Sequence, residues 1–177
     1  MWTRPEEIPN QLVGIPAGAR GTRATLALMA RLADDGSRDP LVRQWAIGVL
    51  QHARVAPHDH AGELAAIFRA VRDGIRFTRD PDNLETLQTP RRTLQWRAGD
   101  CDDFSTLLAA ALRSIGTPAR LAFRVIGSKP GRFGHVYVVA RLAGRDVPLD
   151  GIYRGTPLGW QYPRPAVRED YPLWATP

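Results

Sequence analysis

The chain has 177 residues, 44% of them hydrophobic and 24% charged, with a formal net charge of +6. Length and composition are those of a soluble globular protein large enough for a core of its own. One cysteine excludes an intramolecular disulfide, and no window approaches the roughly 18 apolar residues of a membrane span.

The positive charge invites a nucleic-acid reading, and its distribution argues against one. Of the 24 basic residues only Lys129 is a lysine, and the arginines are spread along the chain. Their densest group, Arg91, Arg92 and Arg97, comes with no recognised nucleic-acid module, so nucleic acid is not expected as a partner. The amino-terminal residues Met1 to Glu7 lack the apolar run of a secretory signal, so the expected location is the cytoplasm or a particle assembled there.

In chain order, residues 1–20 are rich in Pro and Gly and read as an irregular arm. Thr22 to Ala33 is a short helix with Leu26, Met29, Ala30 and Ala33 on one face, broken by Asp34-Asp35-Gly36-Ser37. Asp39 followed by Pro40 is a strong helix start, and that helix carries Leu41, Trp45, Val49 and Leu50 to about Arg54. A third helix holds Leu64, Ile67, Phe68, Val71 and Ile75. Residues 78–98, punctuated by Pro81, Asn83 and Pro90, read as a long, mostly irregular loop leading into the cysteine.

Cys101 then opens a helix whose Phe104, Leu107, Leu108, Ala111, Leu112 and Ile115 form one apolar stripe, ended by Gly116 and Pro118. Asp100 is a good capping residue, with Asp103 three places on as a capping-box partner. A thiol in the first turn of a helix sits where free amides and the positive helix end favour an anion. The neighbouring Asp102 and Asp103 oppose this, because like charge raises a thiol's pKa.

Beyond the helix the period changes to two. Leu121, Phe123 and Val125 alternate with Ala122, Arg124 and Ile126 in one strand, Gly127 to Gly134 is a turn or loop, and His135 to Leu142 is a second strand. Val147 to Asp150 is a short third strand, irregular or at an edge because Pro148 lacks an amide donor. The end, from Gly151, is rich in Pro and in aromatics (Tyr153, Trp160, Tyr162, Tyr171, Trp174) and reads as irregular. Helices first and a small antiparallel sheet afterwards is an α+β layout.

Strand parity links the last two strands. An even-length loop around Ala143-Gly144 places Asp150 on the face of His135, directly opposite for four residues and one diagonal away for two. An odd-length loop would separate them. Asp146 shares the face but lies near the turn, so Asp150 is the better carboxylate to orient the imidazole. Cys101, His135 and Asp150 are thus a candidate catalytic set: an imidazole accepts the thiol proton, and an acceptor on its other nitrogen fixes its tautomer. His58-Asp59-His60 has no companion cluster, so no metal and no cofactor is expected.

The motifs carry a resemblance. Gly99-Asp100-Cys101-Asp102-Asp103-Phe104-Ser105, then Ile115 to Leu121, resembles the nucleophile motif of the transglutaminase-like superfamily. Gly134-His135-Val136-Tyr137-Val138 and Val147-Pro148-Leu149-Asp150 resemble its histidine strand and its aspartate segment. The resemblance covers about residues 60–155. It implies a papain-like α+β fold with N-terminal helices packed on a small antiparallel sheet. It also implies an enzyme of the cysteine protease, amidase or acyltransferase kind that works through a thioester on peptide or isopeptide amides, with hydrolysis favoured over crosslinking. Cys101 would be the nucleophile, His135 the acid/base and Asp150 the orienting group. The oxyanion would be held by the Cys101 amide and a donor from the preceding loop, with Gln95 and Trp96 as candidates by position. A protein or peptide would be the substrate.

Gly21 to Thr25, through Leu41, also resembles the arm of small transglutaminase-like proteins encoded among phage and prophage genes. That resemblance implies phage-particle proteins as partners and an alternative role as an assembly or scaffold protein with little catalysis. The expected organisation is one domain over 1–177: an arm and helices (1–56), a core (57–155) and a Pro- and aromatic-rich tail (156–177).

Overall fold

The computed structural model describes residues 18–80 and 86–173. Its helices are α1 (Ala19–Ser37), α2 (Pro40–His52), α3 (His60–Gly74), α4 (Pro90–Trp96) and α5 (Cys101–Ser114). Its strands are β1 (Arg76–Phe77), β2 (Ala98–Gly99), β3 (Arg120–Gly127), β4 (His135–Leu142), β5 (Arg145–Leu149) and β6 (Val167–Pro172). The architecture is α+β: helices on one side of a four-stranded antiparallel sheet of order β5-β4-β3-β6.

Helix α5 is the centre of the molecule. Leu107, Ala109, Ala110, Ala111 and Leu112 are all fully buried, so apolar side chains cover its whole circumference and not only one stripe. Helices α1 to α4 pack around it on one side. The sheet closes the other side with Leu121, Phe123 and Val125 of β3 and Val136, Val138 and Ala140 of β4, the alternate residues expected of a half-buried sheet. The short parallel pair β1–β2 ties the exit of α3 to the residues just before Cys101. Asp39 caps α2 by accepting from the Leu41 amide, as its place before Pro40 predicts.

Three sequence expectations are corrected. Helix α1 begins at Ala19, inside the expected irregular arm, and does not break at Asp34 but continues to Ser37. Arg38 pairs with both Asp34 (2.7 Å) and Asp35 (2.9 Å), and Arg113 of α5 reaches Asp34 at 2.9 Å. Gly36 is no breaker: its missing side chain lets α1 approach α4, since a Cβ there would lie 2.4 Å from Pro90 Cγ. Residues 90–96, expected irregular, form α4, with Thr89 as cap and Pro90 in the first turn. The tail, also expected irregular, contributes β6, whose Asp170 takes both Nε and Nη2 of the buried Arg124 at 2.6 and 2.7 Å. Residues 1–17, Pro81, Asn83 and Trp174 lie outside the described residues.

Candidate functional site

Cys101 is the first residue of α5, and the expected capping box is formed. Asp100 accepts from the amides of Asp102 (3.0 Å) and Asp103 (3.2 Å), while Asp103 accepts from the Asp100 amide (3.3 Å). Asp103 is almost completely buried, and its carboxylate is held by the loop that precedes α4. The Gln88 amide donates to Oδ1 at 2.7 Å and the Gln88 side chain donates to Oδ2 at 2.6 Å. Gly99 is required for this approach: a Cβ there would stand 2.6 Å from the Cβ of Asp103. Of the two acids beside the thiol, Asp103 is therefore engaged elsewhere.

Asp102 is not. The Cys101 thiol donates to its Oδ1 at 3.5 Å. Burial pushes the thiol well above its ordinary range, and the charges of Asp102 and Asp100 push it further, against a hydrogen bond from the Val136 backbone. The helix-end preference for an anion, expected from the sequence, is thus outweighed by desolvation and two carboxylates. In the resting chain the thiol is protonated.

His135 opens β4, and the loop to β5 is the two-residue turn Ala143-Gly144, with positive φ at both positions (50° and 77°). Val138 pairs with Leu149, so Asp150 follows one diagonal from His135 on the same face. The His135 Nε2 lies 2.8 Å from Asp150 Oδ2, with the imidazole 13% and the carboxylate 0% exposed. Asp150 Oδ1 is buried and has no hydrogen-bond partner among the described residues. With Nε2 on Asp150, Nδ1 is the nitrogen left for a proton from a thiol or a leaving group. Asp146 pairs with Arg124 and Arg141, away from His135.

Cys101 and His135 line one cavity of about 430 Å³. It is also lined by Val125, Phe133 and Gly18 with the first half of α1: Gly21, Thr22, Thr25, Leu26 and Met29. Gln95 and Trp96 are exposed on α4 and are not among the residues lining this cavity; Trp96 lies under the Arg92 guanidinium, 4.0 Å from the ring centre. The α1 wall escaped sequence reading because Leu26 and Met29 read as core, although Gly18, Gly21, Thr22 and Thr25 continue their stripe at helical spacing. Tyr137 and Tyr153, which flank the His135 ring at 5.7 and 6.4 Å, also went unnoticed.

Among the described residues no cluster of three or more His, Cys, Asp or Glu could hold a metal ion. Asp59 caps α3 through the Gly62 amide, and His60 bonds Glu63 at 3.0 Å. No described helix is long and apolar enough to cross a membrane.

Asp100 gives a pH-dependent expectation. Burial and the charge of Asp103 push its carboxyl up to about 7. A carboxyl raised in the folded state favours folding most below its unfolded value, and that contribution fades as pH rises through about 7. Asn caps helices as well as Asp does. Asp100→Asn is therefore expected to gain stability over the wild type as pH rises from 4 to 8, followed by thermal melts of both proteins. A difference independent of pH would sink the assignment.

A cysteine at the start of a central helix, packed on an antiparallel sheet that carries a buried His–Asp pair, is the architecture of papain-like α+β proteins. The model of the transglutaminase-like superfamily matches residues 50–154, and the chain belongs to that superfamily. Among solved structures it is similar to a candidate protease from Parabacteroides distasonis ATCC 8503, with a TM-score of 0.56 and 13% identity over 84% of this chain and 29% of that one. It is also similar to a candidate cysteine protease from Cytophaga hutchinsonii (TM-score 0.46, 19% identity, 62% of this chain and 37% of that one). A third is LapG of Legionella pneumophila, EGTA-treated (TM-score 0.49, 15% identity, 80% and 74%). The chain spans about a third of the length of the first two. No curated protein sequence matches it.

Proposed function

We propose that the chain carries out cysteine-dependent acyl transfer on peptide or isopeptide amides, with Cys101 as nucleophile, His135 as acid/base and Asp150 as the orienting group. The observation that carries this reading is the buried His135–Asp150 pair, 2.8 Å apart, on the wall of the cavity that also holds Cys101. Because the resting thiol is protonated, its proton leaves as the sulfur attacks, passing to His135. The S–C bond forms, the proton moves on to the leaving amine, and the C–N bond breaks to leave a thioester. Water then attacks the thioester, releases the acid and restores the thiol. Hydrolysis is favoured over crosslinking because water is always at hand, whereas an amine acceptor must bind and lose a proton. The Cys101 backbone amide, at the start of α5, is the first candidate for the oxyanion. Gln95 and Trp96 would have to move to serve.

The test is the rate of Cys101 alkylation by iodoacetamide against pH, in the native chain and in His135→Ala. The variant is expected to react roughly ten- to a hundredfold more slowly at neutral pH, the low end of what a positioned base contributes. A profile unchanged by the mutation would refute the reading. A second reading, a phage-related assembly protein that keeps the fold with little catalysis, draws on the half-buried thiol held by Asp102. Amide release that disappears in Cys101→Ala decides for the enzyme, and a biological role retained in that variant decides for the scaffold.

A further inference from the structure

The segment after Asp150 is irregular in backbone yet firmly held. The Gly159 amide donates to the Pro148 carbonyl of β5 at 3.1 Å, and Arg72 of α3 donates to the Thr156 carbonyl at 2.6 Å. The Thr156 hydroxyl in turn donates to the Tyr153 carbonyl at 2.7 Å. These bonds set Tyr153 edge-on to the His135 imidazole, with ring centres 6.4 Å apart and planes at 65°. Trp160 in turn meets Tyr153 edge-on, 5.6 Å away and at 74°. The imidazole also meets the buried Tyr137, with ring centres 5.7 Å apart and planes at 31°. Tyr153 is 44% exposed, so burial in the core does not account for its placement.

We propose that Tyr153, braced by Trp160, is a positioning residue for His135: the two tyrosines hold the imidazole plane so that Nε2 stays on Asp150 and Nδ1 stays aimed at the reacting groups. This rests on the reading of His135 as the acid/base. An imidazole hydrogen-bonded at one nitrogen alone can still swing about that bond, and contacts with two aromatic rings restrict that freedom. The Tyr153 phenol is raised first by burial and then by the negative charge of Asp150, so it remains neutral beside the imidazole. The ring, not the hydroxyl, does the positioning.

The experiment compares the full chain with Tyr153→Ala, Tyr153→Phe and His135→Ala, reading the rate of Cys101 alkylation by iodoacetamide against pH and the ¹⁵N shifts of the His135 ring. Tyr153→Ala is expected to slow alkylation about fivefold at neutral pH, the scale of one aromatic pair, and to give ring shifts averaged between tautomers. Tyr153→Phe is expected to restore both. If His135→Ala slows alkylation while Tyr153→Ala reacts like the native chain with unchanged ring shifts, the positioning role is overturned and the acid/base reading stands. Tyr153→Phe as slow as Tyr153→Ala overturns it too, by moving the role to the hydroxyl. If His135→Ala has no effect, the acid/base reading itself fails.

Discussion

Asp150→Ala is expected to lower amide turnover by about 10²- to 10³-fold, whereas Asp150→Asn stays within roughly tenfold of the native chain. The asymmetry follows from the pair's geometry. The carboxylate is fully buried and uses one oxygen, Oδ2, at 2.8 Å from His135 Nε2, while Oδ1 has no partner among the described residues. What the imidazole needs at Nε2 is an acceptor that fixes the N–H there and leaves Nδ1 bare for the proton. An asparagine carbonyl supplies that acceptor without burying a charge. Alanine leaves the ring free to choose its tautomer and to turn away. The measurement is single-turnover amide cleavage together with iodoacetamide alkylation, since the second needs no substrate. Turnover in Asp150→Ala equal to the native rate would mean that His135 is oriented by something else, and would refute the proposed triad.

The legible parts of this molecule are those with a period or a local chemical signature. The alternation in 121–126 and 135–142 is that of β3 and β4, and parity brings Asp150 to His135 for any even-length loop, a condition that the two-residue turn of the fold meets. Asp39-Pro40 and Asp100 with Asp103 announce two helix starts, and both caps form. What escaped is what depends on tertiary partners. Helix α4 has seven residues, too few to display a period, and Pro90 at its start looks like a breaker until Thr89 is seen capping it. Strand β6 reads Val167-Arg168-Glu169-Asp170-Tyr171-Pro172, an edge strand too charged to alternate, and its Asp170 finds its reason only in the buried Arg124. The direction of the Cys101 shift could not be read either. Helix position favours the thiolate, burial and Asp102 oppose it, and only the fold sets their relative weight.

Asp103 provides the contrast to Asp150, because the same substitution is expected to have the opposite outcome. Asp103→Ala is expected to cost about 2–4 kcal/mol, from hydrogen bonds to a charged group and a lost capping box. For a chain of this size that lowers the melting temperature by roughly 10 °C. The carboxylate accepts from the Gln88 amide at Oδ1, and from the Gln88 side chain and the Asp100 amide at Oδ2. Both oxygens are thus committed, and all three partners are donors. Asparagine has one acceptor, so its NH₂ group would face donors at one of the two positions, with no water to intervene at a residue 1% exposed. Asp103→Asn is therefore expected to melt close to Asp103→Ala, while Asp150→Asn melts close to the native chain. Burial holds the Asp103 carboxyl above its usual range, and the Gln88 hydrogen bonds limit the rise. Because those bonds also tie the loop before α4 to the start of α5, their loss should loosen the backbone that seats Cys101. Thermal melts of the four variants decide it: equal destabilisation by asparagine at both positions would show that burial alone, and not the count of donors, governs these two acids.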